Sequence, residues 1–171
     1  PLPVDKHQAT RLSTYWRAHS NHMTRLMSEG FVHFDNLEFD AETFRIMGAI
    51  ACSHRMIITV SKLLERLDQT DDPLVQTVMY QYNAHIHGEG ELYRVDNTHP
   101  YKGHADHHHE HLFSKGGGEV VSWLGADRWP TLSDFVRRVE ELSGTNAFGS
   151  LPPASDIVTQ QQLDTARDVL R

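Results

Sequence analysis

The sequence predicts an α+β domain: an antiparallel β-sheet of about five to seven strands, with an N-terminal helix and one or two C-terminal helices. Three observations carry this. β-branched and aromatic runs follow one another through the middle of the chain, separated by short glycine, aspartate or asparagine turns. Helical periodicity of apolar residues is confined to the two ends. The chain has 171 residues, 39% hydrophobic and 23% charged, which is enough to bury a core and too apolar for a disordered tail. We place a single α+β domain over residues 1–144 and a linker with a C-terminal helix over residues 145–171.

Between His7 and Met27 the apolar residues Leu12, Trp16, Met23, Leu26 and Met27 recur at helical spacing, with His19 on the same stripe. After Gly30 the pattern turns to short strands over residues 31–34 and 37–39. Residues 44–52 and 56–60 then make a hairpin around Ser53-His54-Arg55. A helix over residues 42–67 competes, since Leu63, Leu64 and Leu67 favour it, but Gly48 and the Ile57-Ile58-Thr59-Val60 cluster favour strand. Residues 75–87 form a long strand with Tyr80, Tyr82, Ala84 and Ile86 on one side and Met79, Gln81, Asn83, His85 and His87 on the other. Gly88-Glu89-Gly90 returns the chain through residues 92–96.

Residues 98–106 form a loop, and a strand over residues 107–113 alternates His107, His109, His111 and Phe113 against His108, Glu110 and Leu112. Gly116-Gly117-Gly118 turns into a last strand over residues 119–124. Thr131 and Asp134 are spaced as a capping box for a helix whose stripe is Leu132, Phe135, Val136, Val139 and Leu142, ended by Gly144. Ser155-Asp156 is expected to cap a final helix running to Leu170.

Composition excludes several classes. The single cysteine, Cys52, rules out an internal disulfide framework and a thiolate zinc site, and reads as a small core residue. A net charge of −7 argues against whole-molecule attraction to nucleic acid, so any grip on a polyanion is local, with Arg94 and Lys102 near the histidines. The apolar runs, such as residues 56–60, are too short to span a bilayer and no leader peptide opens the chain; the expectation is no membrane partner and a cytoplasmic address.

Six of thirteen histidines, His99, His104, His107, His108, His109 and His111, fall within residues 96–113, together with Asp96, Asp106 and Glu110. Imidazole titrates near neutral pH and is the commonest metal ligand. An expression tag is terminal and uniform, whereas this run is internal and interleaved with acids and apolar residues. A solvated tract that takes up metal adventitiously is the alternative to a working site.

The stretch VMYQYNAHI, a short turn, RVDN, a nearby histidine and then the His108, His109, His111 cluster resemble the TumE family of toxin–antitoxin toxins. The earlier GAIACSHRMIITVSKLLE hairpin and the closing WPTLSDFVRRVEEL helix extend the likeness over residues 30–142. The N-terminal helix and the tail after Gly144 are additions to that pattern. The resemblance implies a toxin whose partner is a DNA-binding antitoxin and whose target is nucleic acid. It points to Arg94, Asp96, Asn97, His99, His108, His109 and His111 as catalytic candidates.

Three chemistries fit these residues. A ribonuclease acting on an RNA substrate needs a base, an acid and positive charge, which two histidines and Arg94 supply without metal. A metal-assisted variant uses Asp96, His109 and His111 to hold a divalent ion such as zinc, manganese or magnesium. A cupin-like oxygenase would use His85, His87 and Glu91, and a non-enzymatic metal-binding module is the third reading. The terminal additions offer amphipathic surface for a homo-oligomer. His19 and His22, on a separate helix, are expected to stand outside the site, and Asp96-Asn97 also fit a bend after the strand.

Overall fold

The computed structural model describes residues 7–99 and 107–171. Lys102, His104 and Asp106 of the histidine-rich stretch lie outside the described residues. In chain order the elements are β1 Thr10–Arg11, α1 Leu12–Ser28, β2 Val32–Asp35, β3 Glu38–Asp40, β4 Arg45–Cys52, β5 Met56–Arg66, β6 Leu74–Ile86, β7 Glu91–Asp96, β8 His109–Phe113, β9 Glu119–Trp123, α2 Leu132–Ser143 and α3 Gln160–Asp168. This is the predicted α+β class: one antiparallel sheet with one helix before it and two after.

Seven strands form a continuous path, β2-β4-β5-β6-β7-β8-β9, and the short β1 and β3 pair with β6 and β4. From β4 onward each strand pairs with its sequence neighbour, so the short polar turns read in the sequence build the sheet as successive hairpins. The competing helix over residues 42–67 does not form. Instead β5 continues to Arg66, because Leu63 and Leu64 pair with Met79 and Thr77 across β6. The turn between β4 and β5 puts His54 and Arg55 at positive φ (64° and 56°), the two-residue conformation whose twist matches a hairpin. The C-terminal segment holds that turn: His54 Nδ1 lies 2.8 Å from the Pro152 carbonyl oxygen, and the Arg55 amide donates to Asp156 O at 2.7 Å.

Strand alternation sorts the two faces. Tyr80, Tyr82, Ala84, Ile86, Tyr93 and Val95 point to one face and pack against Met23 and Leu26 of α1 and Phe135, Val136 and Val139 of α2, forming the main core with buried Cys52. On the other face Ala49, Ala51 and Ile57 pack against Val158 and Leu163, so α3 covers only the β4–β5 end. The rest of that face, over β6, β7 and β8, carries polar side chains.

The α2 capping box forms as predicted: Thr131 accepts from the Asp134 amide, and Asp134 accepts from the Thr131 amide. The last helix begins later than expected. Thr159 caps it through Gln162, a second capping box, while the Asp156 backbone carbonyl accepts from the Arg55 amide of the β4–β5 turn. A bulge opposite Leu63/Leu64 interrupts the β6 alternation, so Thr77 and Tyr80 both face α1.

Candidate metal centre on the β7–β8 ladder

β7 and β8 pair in a register that puts Arg94 opposite His111 and Asp96 opposite His109. Alternation has already turned Tyr93 and Val95 into the core, so Arg94 and Asp96 must point away from it. His109 and His111 follow on the same face. Just past the end of β7 the chain bends, with the Thr98 amide and hydroxyl donating to Asp96 Oδ1 at 3.1 Å each, and this returns His99 over the strand it has left.

The result is a group of four: Asp96, His99, His109 and His111 each offer one ligand atom, all within 4.8 Å of one another. Asp96 is fully buried and His109 is 1% exposed, whereas His99 is half exposed and opens the group to solvent. His109 Nε2 and His99 Nε2 are 2.9 Å apart. Asp96 Oδ1 is 3.1 Å from His99 Nδ1 and 3.8 Å from His109 Nε2, and its Oδ2 is 4.0 Å from His111 Nε2.

Outer contacts orient these rings. His109 Nδ1 lies 2.7 Å from the carbonyl oxygen of His107, just before β8, so that nitrogen is the N–H donor and Nε2 keeps its lone pair toward the group. His111 Nδ1 lies 3.1 Å from Glu119 Oε2 on β9, which fixes the same tautomer. Arg94 threads the site: its Nη2 is 3.2 Å from His111 Nε2, its Nε 3.2 Å from Asp96 Oδ2 and its Nη1 3.1 Å from Glu91. Burial holds the His111 pKa below the ordinary imidazole value, opposed by Glu119 and reinforced by Arg94; the neutral ring accepts from Arg94 Nη2 at Nε2, and an ion bound there would take the place of that contact.

Comparison with protein-family models, curated proteins and solved structures finds no match.

The donors fit a divalent ion on three grounds. Asp96 Oδ2 is buried and accepts no hydrogen bond, its neighbour being Arg94 Nε at 3.2 Å, whereas buried carboxylate oxygens almost always accept one. Two imidazole nitrogens in hydrogen-bond contact, both aimed inward, need either a shared proton or a shared ion. Among the described residues, with neutral imidazoles, the carboxylates of Asp96, Glu91 and Glu119 outweigh the Arg94 guanidinium by two charges, which a dication neutralises. Imidazole with one carboxylate suits zinc or manganese better than magnesium, which favours oxygen ligands.

Of the sequence candidates, Arg94, Asp96, His99, His109 and His111 come together. Asn97 and His108 do not. The Asn97 side chain accepts from the Tyr80 amide and donates to Val78 O, tying the end of β7 to β6. His108 turns to the opposite face, its Nδ1 3.1 Å from the Tyr80 hydroxyl and its ring 4.9 Å from Trp129. His85, His87 and Glu91 form no ligand group among the described residues, because the Glu91 carboxylate accepts from Asn83 and Arg94. Sequence reasoning missed Glu119, Glu91 and Asn83 as partners of the site. Asn83 was on the correct face of β6, opposite Arg94, and the register across the glycine turn is the signal for Glu119.

Proposed function

We propose that this protein is a metal-assisted nuclease acting on RNA, and that it serves as the toxin of a toxin–antitoxin pair. The observation that carries the nuclease reading is the convergence of Asp96, His99, His109 and His111 around one point beside Arg94. A bound divalent ion supplies Lewis acidity toward a phosphoryl oxygen and lowers the pKa of a bound water. Asp96, His109 and His111 would hold it from the rigid ladder, leaving the solvent side, beside the half-exposed His99, for water or a phosphate oxygen.

The metal-free alternative is weaker on geometry. A base and an acid that act on the attacking and leaving oxygens stand on opposite sides of the phosphorus; His99 and His109 touch at 2.9 Å and cannot straddle it, which leaves His99 and His111, 6.1 Å apart between ring centroids, as the wider pair. Arg94 is the one guanidinium in contact with the group among the described residues, and its role is to hold a phosphate against the ion. The face beside it is open and polar: Thr59, Ser61, Gln81 and Asn83 line β5 and β6 between the site and α3, a span of about 15 Å at ordinary strand spacing. Phe113, partly exposed and stacked on His111, gives a ring on which a base can rest.

The toxin role, the DNA-binding antitoxin and self-association rest on the family resemblance and on the terminal additions. No helix among the described residues is long and apolar enough to cross a membrane. The test is metal content of protein purified without nickel resin, followed by end-group analysis of cleaved RNA. Attack by activated water leaves 3′-hydroxyl and 5′-phosphate ends. Cyclic 2′,3′-phosphate ends from metal-free protein would instead support the histidine-pair mechanism.

A further inference from the structure

On the opposite face of the sheet from the histidine group, a cavity of about 460 Å³ lies between α1, the sheet and the start of α2. Its floor holds a lysine in an unusual position. Lys62 is on the core-facing side of β5, between Val60 and Leu64, and is only 7% exposed. Lys62 Nζ donates to the Tyr15 hydroxyl at 3.3 Å and lies 5.6 and 5.7 Å from the Tyr15 and Tyr82 ring centroids. Among the described residues no carboxylate lies within 4 Å of it. An ammonium has three N–H donors, and a buried charge without a counter-charge is costly enough that such groups are nearly always paired.

A second buried group points the same way. His19, 9% exposed, stacks on Trp16 and leaves its Nε2 without a hydrogen-bond partner. Burial, then the positive charges of Lys62 and His22, push its pKa down to about 3, so the ring is neutral and its surroundings are electropositive. The Tyr15 hydroxyl and Thr77 Oγ1, 2.8 Å apart, add polar atoms at the same level. The remaining wall is apolar and aromatic, with Met23, Leu132 and Trp129, whose ring stacks on His7 at 3.3 Å between centroids. The rim, at Thr14, Ala18 and His22, is exposed.

We propose that this cavity binds a small aromatic monocarboxylate, its carboxylate on Lys62 and Tyr15 and its ring among Met23, Leu132 and the edge of the His7–Trp129 stack. One buried ammonium, Lys62, beside the neutral His19 ring matches a monoanion; a phosphate dianion would leave a surplus charge buried. The cavity is in the size range of small-molecule sites, and an apolar wall with a few convergent polar groups is their usual make-up. The site is independent of the nuclease reading, since the sheet separates the two.

The test is calorimetric titration of the full chain with naphthalene-2-carboxylate, naphthalene-2-carboxamide and inorganic phosphate. The carboxylate is expected to bind one-to-one, at least about tenfold more tightly than the carboxamide, with phosphate giving no saturable heat. Lys62→Met removes the discrimination between acid and amide. Ala18→Trp, a change on the exposed rim that leaves the floor intact, blocks both ligands and carries the test if Lys62→Met does not fold. No saturable binding of the carboxylate, equal affinity for acid and amide, or unchanged affinity in either variant overturns the proposal, as does tighter binding of phosphate.

Discussion

Asp96 and His109 are direct partners across the β7–β8 ladder, both essentially fully buried, with Asp96 Oδ1 3.8 Å from His109 Nε2. A carboxylate and an imidazole are thus held on rigid backbone, with no loop between them to adjust their spacing. Preorganisation of this kind is what a metal site or a catalytic centre requires. Asp96→Asn keeps the shape and removes the charge, and is expected to lower divalent-ion affinity by at least about tenfold with little loss of fold. Isothermal titration with zinc and manganese measures it.

Glu119 reaches the site from β9 and fixes the ring of His111. Glu119→Gln is expected to weaken metal binding by about 10–100-fold, the usual cost of removing an outer partner of a ligating histidine. Unchanged affinity would mean that His111 is not a ligand.

His108, beside these ligands in sequence, serves the opposite face. His108→Ala loses the contact with the Tyr80 hydroxyl and the packing beside Trp129, and is expected to cost about 1–3 kcal/mol of stability. RNA cleavage by the folded variant should be unaffected. Urea denaturation and cleavage, measured on the same preparation, separate the two roles.

The fold was legible because the strands are sequential and their turns carry recognisable residues. Alternation alone gave the shared face of His109 and His111, and Thr131 with Asp134 gave α2. What local pattern does not contain is where strands shift. The bulge on β6 moves Thr77 onto the α1 face, and the bend after Asp96 brings His99 back over the sheet. The family resemblance pointed to Asn97 and His108, but each lies next to a residue of the group, and successive residues of an extended chain point to opposite faces. The α3 start is displaced from Ser155-Asp156: the Asp156 backbone carbonyl, which a cap residue would offer to the first helical bond, accepts instead from the Arg55 amide, 101 positions away in sequence.

Gly48 sits in β4 with φ 156°, and a Cβ there would meet the Leu37 Cα at 2.7 Å and the Asn36 carbonyl at 2.8 Å. These are backbone atoms that cannot rotate away. Gly48→Ala is expected to destabilise by about 1–3 kcal/mol and lower the melting temperature by several degrees. Thermal denaturation checks it, and an unchanged Tm would contradict the close approach.

His19 predicts a pH dependence of stability. Its folded pKa is about 3 against 6.5 for the free side chain. Between those values the unfolded chain binds a proton that the folded chain refuses, so stability falls as pH drops below 6.5 and the loss is complete near pH 3. His19→Gln removes this contribution. The urea midpoint of the variant should therefore gain on that of the wild type between pH 7 and pH 4.5, and parallel curves would refute the assignment.

The most direct test of the nuclease reading is the rate at which chelator-stripped protein cleaves single-stranded RNA before and after one equivalent of manganese or zinc is restored. The account predicts no cleavage by the stripped protein, recovery on adding the ion, and no recovery in His109→Ala despite an unchanged fold. Full-rate cleavage by the stripped protein, or by His109→Ala, would contradict it.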